Sequence, residues 1–226
     1  MSESNLSDTA VRILTAVKLV GIIVIAVLLE KYGIPVMHIA PFHAIRWLGV
    51  LITACCIYEV LRCVQKASDE VTQKNMLSIV AFVAWLVLMM ISVYAVGAKP
   101  WIMLWLLMII VGADVGGWLF GKIFGGDKMW ERISANKTWA GQIGGIVCGT
   151  AMSLLYCQMF HTNVAVAIWL GISIALLSQY GDLTASFIKR RLEIKDFGDF
   201  LPGHGGILDR VDGWIYVLPL IWLLVK

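Results

Sequence analysis

The chain has 226 residues, of which 60% are hydrophobic, and its mean hydropathy is +0.84. So large an apolar share excludes an ordinary water-soluble domain, which could not bury that much side chain, and points to lipid as the solvent. A net charge of +3 is too small to argue for a nucleic-acid partner.

A bilayer core calls for roughly 20 apolar residues of helix. Seven segments meet or approach this, at 11–29, 44–61, 77–96, 101–121, 139–159, 164–182 and 207–225. The expected architecture is therefore an all-α, polytopic transmembrane bundle forming one membrane-embedded domain over 1–226. Residues 1–10 are polar and loose, and the catalytic half lies at 101–226. The segment 11–29 reads as a span, since no small-residue cleavage site follows it. Pro35 and Pro41 fall in the first connection, Lys99-Pro100 marks a tight turn, and Pro219 is positioned to kink the last helix. The five cysteines (Cys55, Cys56, Cys63, Cys148 and Cys157) lie in or beside apolar runs without metal-ligand spacing and read as packing residues.

Positive charge sets the orientation. Alternate connections hold Arg62, Lys66, Lys74, Lys122, Lys128, Arg132, Lys137, Lys189, Arg190, Arg191, Lys195 and Arg210, with Arg12 ahead of the first span on the same side. Lys31, Arg46, Lys99 and Lys226 fall on the other. Seven spans then put the amino terminus and the charged loops in the cytoplasm.

Acids within or beside a membrane are costly and commonly functional. Asp114 lies inside an apolar run; a hydrogen bond to a neighbouring helix would also account for it. Glu59, three residues before Arg62, suits a local ion pair. If the sixth segment stays helical beyond the membrane, Asp182, Ser186, Lys189 and Arg190 share one face. An acid, a hydroxyl and two cations on one stripe fit a metal-bound phosphate; a solvated charged face fits as well. The glycine-rich run ending in Gly205 and Gly206 precedes Asp209, Arg210 and Asp212. Glycines there permit close backbone approach, and the helix start favours anions. Two acids three residues apart at the start of a last helix would point the same way and can hold Mg²⁺, while helix capping explains one of them. His204 is either a base or donor to phosphate, or a loop histidine without a chemical role. The connection from Gly121 to Trp139 mixes glycine, cations and small polar residues and can wrap a nucleotide's phosphates.

Three stretches carry a resemblance. Ser186-Phe-Ile-Lys189-Arg190, then Lys195-Asp196, then Leu201-Pro202-Gly203-His204-Gly205-Gly206-Ile-Leu-Asp209-Arg210-Val-Asp212 resembles the signature of the phosphatidate cytidylyltransferases, or CDP-diacylglycerol synthases. Ser134-Ala135-Asn136-Lys137-Thr138-Trp139-Ala140-Gly141 resembles that family's Ser-Pro-x-Lys-Thr-Trp-Glu-Gly block, and Tyr58-Glu59 loosely resembles an early Trp-Glu segment. The stronger similarity runs from about Asp114 to the end. Ala135, Ala140 and Ala185 depart from the family's usual Pro, Glu and acid.

The resemblance implies transfer of a cytidylyl group from CTP to phosphatidate, giving CDP-diacylglycerol and diphosphate in phospholipid synthesis, with Mg²⁺ at one or two sites. It implies metal ligation by Asp182, Asp209 and Asp212, with Lys189, Arg190 and Arg210 completing the catalytic set. Substrate contacts are expected from Asp114, Lys122, Ser134, Asn136, Lys137, Thr138, Ser186, Lys195, His204, Gly205 and Gly206. The implied partners are CTP, phosphatidate, membrane lipid and a second copy in a homodimer, without nucleic acid. The implied location is the bacterial inner membrane, with the site on the cytoplasmic side. A CTP-dependent enzyme for another lipid phosphate, of the CDP-archaeol type, a transporter or channel, and a catalytically silent scaffold are the competing readings.

Overall fold

The computed structural model describes residues 44–198, 200 and 205–225. The expected first span at 11–29, the polar start, Arg12, Lys31, Pro35, Pro41, His204 and Lys226 lie outside the described residues. Among the described residues there are five long helices: α1 (Ala44–Lys66), α2 (Asp69–Val96), α3 (Pro100–Phe124), α4 (Trp139–Phe160) and α5 (Val164–Arg191). Each contains a stretch long and apolar enough to cross a membrane. Their outward faces agree: Leu77 is 84% exposed and Trp169 74% exposed. In water such faces would forfeit burial energy, whereas in a bilayer they meet a matching solvent. The protein is an all-α integral membrane protein in its main architecture.

The helices begin and end where local chemistry dictates. Ser68 caps α2, its Oγ accepting the Val71 N–H at 3.4 Å, and Asp69 and Glu70 sit at the positive end of the helix dipole. Pro100 opens α3, where a missing N–H costs nothing. Past Phe124, Gly125 and Gly126 adopt φ of 56° and 90°, a left-handed turn that stops the helix. Thr138 caps α4 by accepting the Gly141 N–H at 3.1 Å, and the Asn163 Oδ1 accepts N–H groups of Ala165 and Val166 ahead of α5.

The sixth segment stays helical beyond the span, to Arg191, which is the condition under which Asp182, Ser186, Lys189 and Arg190 share a face. Other expectations need correction. The connection after α3 is not simply a loop: Lys128–Trp130 (β1) pairs antiparallel with Ser134–Thr138 (β2), with an irregular register between the Lys128↔Thr138 and Trp130↔Ser134 pairs. The last segment is not one helix. It breaks into a single turn, α6 (Leu208–Val211), a 3-10 turn (Asp212–Trp214) and α7 (Val217–Val225). Asp209 and Asp212 therefore stand on different elements rather than one turn apart on a common helix. Pro219 lies in the first turn of α7, where proline is tolerated, so it starts this helix instead of kinking it.

The chain forms two compact units, the described part of Met1–Pro100 with Leu192–Arg210, and Trp101–Arg191 with Val211–Lys226. In the first, α1 packs on α2 around buried Val60, Phe82, Leu86, Met89 and Val93. In the second, α3 meets α4 along a seam of small residues. A Cβ on Gly116 would fall 2.5 Å from the Cys148 Cβ and 2.6 Å from the Gly144 carbonyl oxygen. Close backbone approach of this kind is how helices associate in lipid, where hydrophobicity gives no drive to pair. Polar ties complete the unit: Ser153 donates to the Ala167 carbonyl at 2.7 Å and accepts from the Trp105 indole at 3.0 Å.

Candidate functional site

In the second unit, the extra turns of α5 carry Asp182, Ser186, Lys189 and Arg190 beyond the apolar stretch, as the helical spacing requires. Strand β2 delivers Lys137 to Asp182, Nζ to Oδ2 at 2.7 Å. The same ammonium donates to the Gln179 carbonyl at 3.1 Å, and Ser186 Oγ donates to the other Asp182 oxygen at 3.4 Å. Asp182 is thus held from a strand and from its own helix. Its side chain is 41% exposed and remains open to a ligand.

Asp212 opens the 3-10 turn beside this group. The turn comes so near that a Cβ on Gly181 would collide with the Asp212 carbonyl oxygen, and one on Gly213 would lie 2.7 Å from Ser178 Oγ. Glycine at both positions is what permits the approach. Asp212 accepts the Gly213 N–H at 2.9 Å. Withdrawal from water, and then the nearby Asp182 carboxylate, push the Asp212 carboxyl well above the ordinary range, while Lys189 opposes the shift. Asp114 of α3 lies within electrostatic reach of Asp182, Asp212 and Lys137. Three acids and two lysines therefore share one locus.

Among the described residues, no group of three or more His, Cys, Asp or Glu side chains is gathered tightly enough to form a complete metal cage. The donor set still fits a hard divalent cation. Carboxylates crowded against each other are short of positive charge, and Mg²⁺ is commonly bound by one or two carboxylates plus water and substrate phosphate.

The first unit builds the glycine-rich segment from Leu192 to Arg210. Glu59 of α1 is buried, 3% exposed, and its two oxygens accept the backbone N–H groups of Ile207 at 2.8 Å and Leu208 at 2.9 Å. A Cβ on Gly206 would fall 2.8 Å from Glu59 Oε2. Asp209 Oδ2 accepts the N–H groups of Phe197 at 3.0 Å and Gly206 at 3.1 Å, closing the segment on itself. Phe197 is pinned further: its carbonyl accepts from the Cys63 thiol at 2.9 Å, and its ring stacks on Phe82 at 6.2 Å. Gly205 has φ of 80°, a conformation that excludes most side chains.

A sequence profile of the cytidylyltransferase family matches residues 16–226. The chain belongs to the cytidylyltransferase family. It is similar to the phosphatidate cytidylyltransferase of Staphylococcus aureus strain COL, 43% identical over 124 residues, or 54% of this chain and 48% of that protein. Proteins of the same name from Staphylococcus epidermidis strain ATCC 35984 and Staphylococcus haemolyticus strain JCSC1435 are 42% and 39% identical over 121 and 124 residues. The chain spans about half the length of these curated relatives.

Of the residues expected to form the site, Asp182, Asp212, Asp114, Lys137, Lys189 and Ser186 come together in this family member. Asp209, Gly205 and Gly206 belong to the first unit, where Lys195 and Arg210 are exposed. Ser134 begins β2 and Asn136 is exposed on it. The Thr138 hydroxyl oxygen caps α4 by accepting the Gly141 N–H, and the Lys122 ammonium sits 5.1 Å over the Trp118 ring. Arg190 leans on the hairpin, its Nε donating to the Ile133 carbonyl at 3.4 Å. Glu59, expected to pair with Arg62, instead holds two backbone amides. The clue to that role was its position as an acid within an apolar helix. Nothing in the sequence marked Cys63 or Phe82.

Proposed function

We propose that the protein transfers the cytidylyl group of CTP to phosphatidate, releasing diphosphate and forming CDP-diacylglycerol. The observation that carries this reading is the Lys137–Asp182 pair at 2.7 Å beside Asp212 and Lys189. Family membership and the names of the half-length relatives support it.

Both reactants are anions, so the site must first cancel their repulsion, which reaches several kcal/mol per charge pair near a surface, roughly 4 at 4 Å. Lys137 and Lys189 supply fixed positive charge to phosphate oxygens. A phosphate oxygen of the lipid then attacks the α-phosphorus, and the bond to the bridging oxygen of diphosphate breaks. The nucleophile is already ionised, so no strong general base is required, and the protein's contribution is alignment and electrostatics. Asp182 and Asp212 would hold Mg²⁺, at one site or two, which when bound neutralises phosphate charge and favours departure of diphosphate. Asp182 also orients Lys137. Ser186 steadies the Asp182 carboxylate, and the hairpin carrying Ser134 and Asn136 faces the nucleotide.

The same reading includes seven spans with the amino terminus in the cytoplasm, a bacterial inner membrane, a site on the cytoplasmic side where CTP is available, and a homodimer. It treats the 226 residues as one functional domain with its chemistry centred in 101–226. The test is transfer of label from [α-³²P]CTP by the purified protein, offered phosphatidate and other lipid phosphates separately. Label appearing in a CDP-lipid with phosphatidate supports the reading. Transfer only to an isoprenoid or archaeal lipid phosphate redirects it, and no transfer to any acceptor removes it.

A further inference from the structure

A second feature of the Trp101–Arg191 unit lies beyond the acid locus. The hairpin β1–β2 and the end of α5 enclose an open cavity of about 690 Å³. Lys128, Arg132, Arg190 and Arg191 line it against a single acid, Glu131, while Trp130 and Phe187 supply an apolar wall. The cations are set in place: Arg190 Nε donates to the Ile133 carbonyl of the hairpin turn, and the Arg191 guanidinium lies 4.8 Å over the Phe187 ring. Phe187 and Arg191, five and nine residues past Asp182, fall roughly 140° and 180° around α5 from it, so this basic cavity opens on another face of the helix than the acids.

Its depth identifies the ligand class. Helix α5 has 28 residues and rises roughly 42 Å, more than a hydrocarbon core of about 30 Å. Its last turns therefore stand at the level of lipid headgroups. The surroundings agree, because Trp118, Phe124, Trp130 and Trp139 are all exposed at the adjoining ends of α3, β1 and α4. Aromatic side chains concentrate at this level of a bilayer. An inorganic phosphate or diphosphate would need the cations and have no use for the aromatic wall. A phospholipid uses both, its phosphate against the arginines and its glycerol and upper acyl carbons against Trp130 and Phe187.

We infer that this cavity is a binding site for the headgroup of an anionic bilayer phospholipid, distinct from the acid locus and serving to seat the hairpin that carries Lys137 on the membrane. The inference does not depend on the proposed reaction, because its readout is binding.

The test uses the full chain in nanodiscs containing brominated-chain phosphatidylglycerol or brominated-chain phosphatidylcholine. The Trp130 emission is isolated by subtracting that of Trp130→Phe. Stronger quenching by phosphatidylglycerol is expected. Lys128→Gln, Arg132→Gln and Arg191→Gln should each weaken the preference roughly fivefold, and Glu131→Gln should strengthen it, a gain that misfolding cannot mimic. Equal quenching by the two lipids overturns the proposal, as does a preference untouched by the cation variants in folded protein. So does a Trp130 response to CTP or diphosphate in phosphatidylcholine discs that phosphatidylglycerol fails to match, since the cavity would then take a soluble phosphate.

Discussion

Glu59 Oε2 accepts the Leu208 backbone N–H at 2.9 Å across 149 residues of sequence. With Oε1 on the Ile207 N–H, one buried side chain fixes the start of the turn that carries Asp209. A backbone donor left unmade in such a place costs about 1–3 kcal/mol, so Glu59 acts as a clamp on the glycine-rich segment.

Removing that clamp should be costly. Glu59→Ala strands two donors and is expected to lower stability by about 2–4 kcal/mol. Glu59→Gln keeps one acceptor of the same shape and should lose less than half as much. Denaturation in detergent compares them. If the role is positioning, Glu59→Gln should also restore much of the turnover lost in Glu59→Ala, with kcat recovering more than KM. Equal stability of wild type and Glu59→Ala would remove the clamp.

The Lys137–Asp182 pair invites a double-mutant cycle. Partly exposed ion pairs contribute about 0–1 kcal/mol to stability, so Lys137→Gln and Asp182→Asn should barely move the unfolding midpoint. Their effect on cytidylyl transfer should be on the order of a hundredfold each. The double variant should lose little more than either single, because residues acting as a unit are not additive. Losses that multiply would mean the two side chains serve separate steps.

Legibility in the sequence followed the range of the interaction. Apolar runs disclosed five described helices because bilayer thickness and hydropathy are local properties of a segment. The stripe from Asp182 to Arg190 was legible because it needs only helical spacing. The hairpin at Lys128–Thr138 was missed, since strands of three and five residues have no measurable periodicity. The break at Asp212 was missed for another reason. Residues 207–225 are apolar enough for one helix, but Gly181 and Gly213 let a 3-10 turn pack onto α5, and that contact is visible only in three dimensions. Glu59 shows the same limit, because its partners are backbone amides that the sequence does not distinguish.

The glycine seam makes a controlled prediction. At Gly116 a methyl group would press on Cys148 and on the Gly144 carbonyl, which is backbone and cannot turn aside; at Gly117 the nearest atom is the Gly141 carbonyl at 3.5 Å, an ordinary contact. Gly116→Ala should therefore cost about 1–3 kcal/mol through overpacking, while Gly117→Ala should be nearly neutral. Resistance to unfolding in increasing SDS separates the two. Similar small gains at both positions, which helix propensity alone would give, would mean that close approach does not decide this seam.

Asp212 allows function and stability to be pulled apart. Its carboxyl is pushed up by withdrawal from water and by Asp182. A carboxyl with a raised folded-state pKa lowers stability as pH climbs from its unfolded value toward its folded one, so at neutral pH the group is a burden on the metal-free protein. Asp212→Asn removes the burden and keeps the shape. The metal-free variant should melt at the same temperature as wild type or higher. If Asp212 holds Mg²⁺, binding of Mn²⁺, followed by electron paramagnetic resonance, should weaken sharply, and transfer should fall on the order of a hundredfold or more. Strain kept at a locus that the fold alone would be better without is the mark of a group retained for chemistry. A variant that melts lower and still binds Mn²⁺ normally would place Asp212 among the structural residues instead.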